Sequence, residues 1–594
     1  QNMTKDDQNQ SDDVAICVEN LTVWCPEEYS WWRRKVTKKK SVILNNVTAN
    51  LRRGEFAAIL GPSGAGKTTF LVSMAGKCTL SAKGNVTING VNVKKIGKKI
   101  IEIIPQFDVF VENLNVKEHL IFMTELKLGS CKSARNLTAL NALINEMKLE
   151  SHIKKTIRSL SGGERKLLSL ASSLISKPKI LLCDEPTSGL DSYNAFLVIE
   201  ILKNISLRGK LVVCSVHQPS YDLFRLFNSI LLMAEGKMMF HGSRDECKDL
   251  FESLNLHCPK NYNPAEFYIK AISSNANSND SHIEKLLETY QNHLLELRHK
   301  NQETTPIADC QVIHRHWLKQ VHLLLWRSSL TLKRNVRCMK IFFFQVLSSI
   351  VIGICYIGIS GTNQRGVQDM RGFLWLMSSE VCYSVSYNAL FLFEGELTLF
   401  RREVGMYRGS AYFVATLLSF LPRCVIWPVF CVTVATLAVD LPNRVTTTFG
   451  FLLSLIGAAI ASTAYGLAVG TLFTSTGLTG DIMPCVDLPL FLMSGAFLRI
   501  SSLPLWLYPM KFISHFYYIL DAVSNVYWRQ IDYIDCPNNA TSACYTDGKE
   551  VLQENGYSSD FLMFDSLGLL FVTLFWSILG YCGLKREERV GYAF

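Results

Sequence analysis

The sequence lacks three features that would indicate other classes of protein. Its 18 cysteines show no metal-ligand spacing, so a structural metal centre is not indicated and most are expected to be free thiols. Residues 1–300 have mixed charge and lack any apolar run long enough to cross a membrane, as in a soluble domain. The net charge of +10 is not gathered into one basic segment, which argues against a nucleic-acid-binding protein.

Long apolar runs are confined to the part of the chain from residue 341 onward. Any one run could be a buried core helix, but six in succession favour membrane spans of roughly 20 residues. We place them near 341–360, 372–393, 411–439, 449–473, 482–500 and 562–583. The third contains Pro422 and Arg423, so it is expected to begin as an interfacial turn or to be kinked.

Basic residues flank these runs on one side. They lie before the first run, between the second and third, and after the last: Lys333, Arg334, Arg337, Lys340, Arg401, Arg402, Arg408, Lys585, Arg586 and Arg589. This positive-inside pattern predicts that both termini face the cytosol, in agreement with an even number of crossings.

A phosphate-binding motif lies in the soluble part. The residues that match G-x-x-x-x-G-K-[ST] in full are Gly61, Pro62, Ser63, Gly64, Ala65, Gly66, Lys67 and Thr68. The motif follows the apolar run 56–60 and precedes an apolar helix-like segment that begins with Thr69. Backbone N–H groups and Lys67 would hold phosphates, and the Thr68 hydroxyl would bind Mg²⁺. By itself the motif predicts only nucleoside triphosphate binding.

An acidic pair, Asp184 and Glu185, ends a second apolar strand. Parallel α/β sheets place ligands at the carboxyl ends of their strands. Asp184 would therefore hold Mg²⁺, directly or through water, and Glu185 would polarise the attacking water. An isolated acidic pair of this kind is more often a helix cap. A functional role is favoured here because the pair follows the segment 160–164, described next, by twenty residues.

The segment 160–164 indicates the class of ATPase to which the motif belongs. Its Ser161, Gly162 and Gly163 lie in Leu-Ser-Gly-Gly-Glu, which resembles the signature of ATP-binding-cassette (ABC) ATPases. In that family the signature helix presents N–H groups to the γ-phosphate held by a second cassette. The resemblance therefore implies an ATPase that must dimerise.

The same family supplies roles for four further residues. Gln106 matches the loop glutamine that contacts Mg²⁺ and couples to the membrane domain, and His217 matches the switch histidine that reads the γ-phosphate. Asp191 lies in a Ser-Gly-Leu-Asp segment that resembles the loop crossing the dimer interface. Trp24 is the candidate for stacking on adenine, with three nearby alternatives: Tyr29, Trp31 and Trp32.

A single cassette placed before a single six-helix membrane domain resembles the G subfamily (White type) of ABC half-transporters. The segments 184–192, 217–220, 231–237 and 261–268 carry the likeness, which is close to insect White-type transporters of eye-pigment precursors. The resemblance implies an α/β P-loop ABC ATPase domain followed by an all-α six-helix transmembrane domain, as in type II exporters. One departure is Glu266, where the family more often has Asp; the charge is kept.

The predicted domains are therefore a nucleotide-binding domain at 1–273, a linker at 274–316, an interfacial connecting helix at 317–340 and a transmembrane domain at 341–594. The stretch 501–560 is placed on the outer face, and its aromatic first half is a candidate for re-entering the membrane. Cys536 and Cys544 lie there and could pair in an oxidising compartment, and Asn539 begins a glycosylation sequon between them.

The G-subfamily resemblance places the substrate path between the second and fifth spans of two subunits. The residues offered there are Ser378, Glu380, Tyr383, Ser384, Tyr387, Asn388, Pro484, Asp487, Met493 and Phe497. Asp487 is costly to expose to lipid, so it either faces the path or bonds a neighbouring helix.

These features predict an ATP- and Mg²⁺-dependent half-transporter, a homodimer or a heterodimer with another G-subfamily subunit, in the plasma membrane or a vesicle or granule membrane. A soluble cassette ATPase is excluded by the six spans, and an inactive partner subunit would be expected to lose Glu185 or the signature. An ATP-gated channel stays open until directional flux is measured. The substrates implied are pigment precursors (tryptophan metabolites, purines); lipids, sterols and xenobiotics are the alternative.

Overall fold

The computed structural model describes residues 16–25, 28–29, 36–38, 40–95, 100–129, 133–273, 286–290, 316–473, 479–500, 503–536, 544–557 and 561–590. The chain divides into two compact units. The first is Gln1–Arg315 with Gly591–Phe594, and the second is His316–Val590. The first unit is α/β and the second is helical, so the predicted fold class is confirmed.

The strands of the first unit are β1 (Ile16–Cys25), β2 (Glu28–Tyr29), β3 (Val36–Lys38), β4 (Ser41–Leu51), β5 (Phe56–Leu60), β6 (Ser81–Ile88), β7 (Val91–Asn92), β8 (Ile101–Ile104), β9 (Ile180–Cys183), β10 (Leu211–Ser215), β11 (Ser229–Ala234) and β12 (Lys237–Ser243). Six of them form a sheet in the order β12-β11-β5-β10-β9-β8, in which only β12 is antiparallel to its neighbour. The central strands are buried and apolar along their whole length, as parallel strands covered on both faces must be.

A smaller antiparallel sheet has the order β4-β1-β6-β7. Its apolar residues belong to the same core as those of β5, β9 and β10. The Ile43 carbonyl and the Leu44 side chain on β4 face Gly66 of the P-loop. This sheet therefore forms one wall beside the phosphate-binding motif.

The helices of the first unit are α1 (Lys67–Met74), α2 (Val116–Leu128), α3 (Ala134–Glu146), α4 (Gly162–Leu174), α5 (Ser192–Leu207), α6 (Tyr221–Phe224), α7 (Arg244–Ser253) and α8 (Pro264–Ile272). Polar caps fix where the functional helices begin. Ser161 caps α4 in a capping box with Glu164, and Asp191 caps α5 by accepting from Asn194.

The helices of the second unit are α9 (Trp317–Arg334), α10 (Val336–Cys355), α11 (Gln364–Glu403), α12 (Gly409–Ala438), α13 (Arg444–Leu472), α14 (Thr479–Leu492), α15 (His515–Trp528), α16 (Gly548–Asn555) and α17 (Phe561–Val590). A helix is present at each of the six positions predicted to span. In the described residues, α12, α13 and the stretch 563–588 of α17 are long and apolar enough to cross a membrane, while 340–355 is a shorter apolar helix.

Two spans differ from their predicted form. The fifth was placed at 482–500, but α14 ends at Leu492 after 14 residues, which is short of the roughly 20 needed to cross a bilayer. Gly495 follows with φ +89°, a left-handed backbone conformation. The third does not begin as a turn, because α12 is one continuous helix through Pro422 and Pro428; a kink at Pro422 stays a prediction.

Helix α13 is the centre of the second unit. It packs against α11, α12, α15 and α17, and its second half is buried and rich in alanine and glycine. A Cβ atom on Gly466 would lie 2.2 Å from the Ser386 carbonyl oxygen of α11. Glycine is therefore required for the close approach of α11 and α13, as small residues are at helix contacts in membranes.

The stretch predicted to lie on the outer face contains α15, whose residues are nearly all buried. Its packing against α13 and α17 is the arrangement expected of a segment that re-enters the helix bundle. Residue 539 of the predicted glycosylation site and most of the predicted linker at 274–316 lie outside the described residues.

Candidate functional site

The catalytic edge of the first unit is formed where four parallel strands end. The P-loop follows β5, Gln106 follows β8, Asp184 and Glu185 follow β9, and His217 follows β10. Because β8, β9, β10 and β5 are consecutive neighbours in the parallel sheet, their carboxyl ends meet at one edge. Residues separated by up to 156 positions in the chain are thereby brought together.

The P-loop has the backbone that its glycines predict. Gly64 and Gly66 have φ +80° and +91°, and a Cβ on Gly61 would lie 2.1 Å from the Met233 carbonyl oxygen. Lys67 is buried, and its Nζ donates to the Gly61 and Pro62 carbonyls at 2.8 and 3.0 Å. Burial lowers the pKa of the Lys67 ammonium, while Glu185 and Asp184 raise it. The loop thus holds a cation beside backbone groups suited to phosphate.

Thr68, Asp184 and Ser215 form a chain of hydrogen bonds below the loop. Thr68 Oγ1 donates to Asp184 Oδ1 at 3.1 Å, and Ser215 Oγ donates to the same oxygen at 2.6 Å. Asp184 is buried, so its carboxylate depends on these partners for compensation. Hydrogen bonds thus fix the Asp184 carboxylate beside the Thr68 hydroxyl.

The same pair fits a magnesium ion. Two oxygens on adjacent corners of an octahedral Mg²⁺ shell lie about 2.9 Å apart, close to the 3.1 Å between Thr68 Oγ1 and Asp184 Oδ1. Within the described part of the chain, no group of three or more His, Cys, Asp or Glu residues could hold a metal alone. A Mg²⁺ at this edge would therefore depend on nucleotide phosphates and water for its other ligands.

Glu185 is held in an uncommon conformation. Its φ is +41°, in the left-handed region that residues other than glycine rarely adopt. Its backbone N–H donates to Ser215 Oγ at 2.9 Å, and its Oε2 accepts from Gln106 Nε2 at 2.8 Å. The carboxylate is thereby fixed beside Lys67 by contacts from two other strands. Such strain at a polar edge is typical of catalytic residues.

His217 lies across the P-loop from Glu185. It is exposed, and its Nε2 is 3.1 Å from Ser63 Oγ, with the donor set by the tautomer. The next residue, Gln218, has φ +46°, which turns the chain sharply after β10. His217 is therefore in contact with the loop that would hold the phosphates.

The signature and dimer-loop residues lie at two exposed helix starts. Ser161 and Gly162 are exposed, and Asp191 is exposed at the start of α5. A Cβ on Gly163 would lie 2.8 Å from Asn194 Cγ, so α4 and α5 begin side by side. The hydrogen bonds of Ser161 and Asp191 are to their own helices rather than to the P-loop. Their outer faces are open to another molecule.

Trp24 lies near the end of β1 and pairs with Val42 of β4. Val42 directly precedes Ile43, whose carbonyl faces Gly66 of the P-loop. The Lys40 ammonium lies 4.9 Å from the centre of the Trp24 ring. The position of Trp24 beside the wall that contacts Gly66 agrees with a role near the nucleotide. The alternatives Trp31 and Trp32 lie outside the described residues, and Tyr29 lies in the short strand β2.

In the second unit, three of the predicted path residues, Tyr383, Tyr387 and Phe497, belong to an aromatic cluster. Neighbouring ring centroids in it lie 5.1–6.2 Å apart, and the rings come from α11, from the end of α14 and the residues just after it, and from the start of α15: Trp375, Tyr383, Tyr387, Phe491, Phe497 and Phe516. Phe497 is 64% exposed, so the cluster reaches the surface of this unit. Ser384 accepts from Gln345 Nε2, and Asn388 Nδ2 donates to the Ser384 carbonyl at 2.5 Å.

Asp487 is buried behind this cluster. Tyr465 Oη of α13 donates to Asp487 Oδ1 at 2.5 Å, and Asp487 is 3% exposed. The interhelical hydrogen bond is the structural alternative left open by the sequence. It accounts for one carboxylate oxygen, while Oδ2 has no hydrogen-bond partner among the described residues.

Cys536 and Cys544 are paired in the structure, with Cα atoms 6.0 Å apart. This separation is within the usual range for disulfides. Near them, Arg371 contacts Glu554 at 3.3 Å, and Arg499 contacts the other oxygen of the same carboxylate at 2.5 Å. The paired cysteines therefore lie next to an ordered polar region.

Three residues of the catalytic edge were missed by sequence reasoning. Ser215 joins Asp184 to the Glu185 backbone, and Asn194 packs on Gly163. Lys166 Nζ donates to the Pro105 and Gln106 carbonyls at 3.2 and 3.0 Å and contacts Asp108 at 3.3 Å. The signal for Ser215 was its place at the end of an apolar strand two residues before His217. Lys166 carries no local signal, because its partners lie about sixty positions away, and the contact of Asn194 with Gly163 also joins segments that are distant in sequence.

Comparison with known families matches this arrangement along most of the chain. The ABC transporter family matches residues 44–188, and ABC-2 type transporter families match residues 217–299 and 319–528. The chain is 30% identical to Protein white of Drosophila melanogaster, over 94% of this chain and 85% of that protein. It is 29% identical to Protein brown of the same species, over 97% of this chain and 98% of that protein. It is 30% identical to Protein scarlet, again of Drosophila melanogaster, over 92% and 86%.

Proposed function

Because this chain belongs to the White-type G subfamily of ABC half-transporters, we propose that it works as a dimer that moves small organic molecules across a membrane. ATP hydrolysis coupled to membrane transport is the activity of the family. The observation that carries the proposal is the catalytic edge, at which hydrogen bonds fix Lys67 to the P-loop carbonyls, Asp184 to Thr68 and Glu185 to Gln106. A second cassette, from another copy of this chain or from a related subunit, would complete each site.

The exposed signature supports the dimer. Helix α4 begins at the surface, and the N–H groups at its start are suited to an anion. Tyr193, just inside α5, is 75% exposed, and Phe196 on the same helix is 40% exposed. Large apolar side chains beside an unoccupied helix start are suited to an interface. The γ-phosphate bound by one P-loop would lie against Ser161, Gly162 and Gly163 of the other cassette.

Each residue of the edge has a role in hydrolysis. Backbone groups of the P-loop and Lys67 would bind the β- and γ-phosphates and hold them in line. Glu185, already fixed by Gln106 and Ser215, would orient and polarise the attacking water. His217 would contact the γ-phosphate from the Ser63 side. Thr68 and Asp184, with Gln106 in the adjacent loop, would hold Mg²⁺, which supplies charge neutralisation on the phosphate oxygens.

The proposed substrates are planar small molecules, as in transporters of pigment precursors such as tryptophan metabolites and purines. The aromatic cluster offers ring faces for stacking, and Tyr383, Ser384 and Asn388 add hydrogen-bonding groups to it. Lipids, sterols or xenobiotics are the alternative, since apolar rings also bind them. The proposed location is a plasma, vesicle or granule membrane with the cassette in the cytosol.

The test is the ATPase activity of the purified full chain in lipid vesicles, alone and co-expressed with a related half-transporter. Stimulation by tryptophan metabolites or purines, together with directional and vanadate-sensitive uptake, is expected. Stimulation only by sterols or xenobiotics would contradict the proposed substrates and favour the alternative substrate class. Non-directional flux that requires bound ATP but no ATP hydrolysis would contradict active transport and favour an ATP-gated channel.

We predict that Cys536 and Cys544 form a disulfide on the outer face and that Asn539 carries a glycan. The eight-residue separation makes a small loop that is easy to close. Mass mapping of unreduced peptides from the membrane-bound protein should recover the linked pair, and glycosidase treatment should shift the mass of the peptide with Asn539. Both cysteines reacting with an impermeant thiol reagent on intact cells would contradict the pairing.

We predict that Asp487→Asn changes transport, or substrate-stimulated hydrolysis, while basal hydrolysis and surface expression stay near normal. Asparagine keeps an oxygen that can accept from Tyr465 Oη, so the interhelical hydrogen bond survives and only the charge is lost. Tyr465→Phe is the matched variant, because it removes the hydrogen bond and keeps the charge. Loss of expression in both variants would favour a purely structural role, and an unchanged transport profile in Asp487→Asn would remove Asp487 from the path.

A further inference from the structure

A cavity of about 900 Å³ lies in the second unit, between the first halves of α13 and α17 and the last half of α15. Its lining is mostly apolar and includes Phe449, Leu453 and Leu570, which are also exposed at the surface of the helices. Exposed apolar side chains on membrane helices face lipid, so this cavity opens toward the bilayer. None of its lining residues belongs to the aromatic cluster of the proposed substrate path.

One charged side chain lines the cavity from a buried position. Asp565, in the second turn of α17, is 2% exposed, and neither of its carboxylate oxygens has a hydrogen-bond partner among the described residues. A buried carboxylate without a partner is unfavourable in a protein interior and more so in a membrane. The cavity therefore presents an acceptor group that the chain itself leaves unsatisfied.

A second carboxylate lies in the same region of the second unit. Asp521 of α15 is fully buried and interacts electrostatically with Asp565. The Asn525 amide donates to Asp521 rather than to Asp565. Arg529 is exposed at the rim, and its Nε donates to Asn525 Oδ1 at 3.1 Å. The environment favours a cationic occupant at Asp565.

We propose that this cavity binds an amphiphilic amine from the bilayer, whose ammonium group pairs with Asp565 and whose apolar chain lies along α13 and α17. Asp565 is near one end of α17, the depth at which an amine headgroup would lie while its chain extends toward the middle of the membrane. The cavity volume is within the usual range for small-molecule sites. This site is separate from the catalytic edge and does not depend on the proposed substrates.

The inference is tested by photo-crosslinking with the full chain in phosphatidylcholine nanodiscs. The probe is an octadecylamine that carries a diazirine in its chain, compared with the matching octadecanol. The amine is expected to label peptides of α13, α15 and α17, to be competed by unlabelled octadecylamine, and to label at least ten-fold more than the alcohol. Equal labelling by the alcohol, or labelling confined to other helices, would overturn the proposal.

Two variants separate recognition from folding. Asp565→Asn keeps the shape and removes the charge, and should reduce amine labelling at least ten-fold; Asp481→Asn, an exposed carboxylate of α14, should leave it unchanged. Ser454→Phe fills the cavity from α13 while keeping Asp565, and should reduce labelling to a similar extent. Wild-type labelling in Asp565→Asn or in Ser454→Phe contradicts the site. Because binding does not need ATP turnover, labelling should persist in Glu185→Gln, which keeps this result independent of the transport proposal.

Discussion

Glu185→Gln is expected to lower the rate of ATP hydrolysis by roughly a hundred- to ten-thousand-fold, the usual contribution of a group that activates a nucleophile. Glutamine has the same shape and keeps an oxygen that can accept from Gln106 Nε2, so the loop arrangement should survive. The phosphate-binding loop is untouched, and ATP should therefore still bind. A dimer with trapped nucleotide should accumulate.

The measurement is steady-state hydrolysis beside nucleotide binding by the same purified protein. Lys67→Met provides the contrast, because it removes the cation from the loop and should weaken binding itself. Glu252→Gln, an exposed carboxylate on α7, is the matched control and should behave as the wild type. Hydrolysis within a few-fold of the wild-type rate in Glu185→Gln would contradict the role given to this residue.

The arrangement of the catalytic edge could largely be predicted from sequence because its residues follow apolar strands directly. The short, continuous apolar runs of β5, β9 and β10 are typical of buried parallel strands, and parallel strands end at one edge of their sheet. Thr68 and Asp184 were therefore expected to lie close together. The positive φ of Glu185 was not predictable, because it depends on Ser215 from a strand that is 30 residues away.

A helix lies at each of the six predicted positions, but the extents of the helices differ from the prediction. Hydropathy detects only the apolar part of a helix, so α11 was placed at 372–393, while the helix runs from Gln364 to Glu403. The extra turns end in polar residues whose partners are distant in sequence, such as Arg371 with Glu554 and Arg401 with Glu587. Backbone hydrogen bonding continues past the apolar region wherever such contacts compensate the polar side chains.

The fifth span shows the opposite error. Residues 482–500 are mostly apolar, and hydropathy alone extends the span past Leu492, where the helix ends. The chain turns there through Ser494 and Gly495, and Tyr557 Oη donates to the Ser494 carbonyl at 3.4 Å. Contacts with residues about 60 positions later thus contribute to the local conformation. The hydropathy of residues 482–500 alone carries no information about these contacts.

A buried ion pair joins the helix before the spans to the end of α11, and the loss of one of its partners should strongly destabilise the second unit. Arg327 of α9 is 3% exposed and Glu403 at the end of α11 is 5% exposed. Arg327 Nη1 lies 2.8 and 2.7 Å from the two Glu403 oxygens, and Tyr407 Oη donates to Glu403 Oε2 at 2.7 Å. Burial alone would lower the pKa of the Arg327 guanidinium, but Glu403 raises it above its ordinary value, so the pair stays charged.

Arg327→Met is therefore expected to lower the free energy of unfolding by about 3–5 kcal/mol, because it leaves the Glu403 carboxylate buried without its cation. The double variant Arg327→Met, Glu403→Leu should recover most of this loss, since two apolar side chains replace two buried charges; about 1 kcal/mol should remain for the Tyr407 hydroxyl that loses its acceptor. Lys248→Met, from an exposed pair with Glu252, is the control and should cost less than about 1 kcal/mol. Denaturant titration of the wild type, the two single variants Arg327→Met and Glu403→Leu, and the double variant gives the coupling energy of the pair. If the double variant is as unstable as Arg327→Met, the pair is not the source of the effect, and the packing of α9 against α12 must supply it instead.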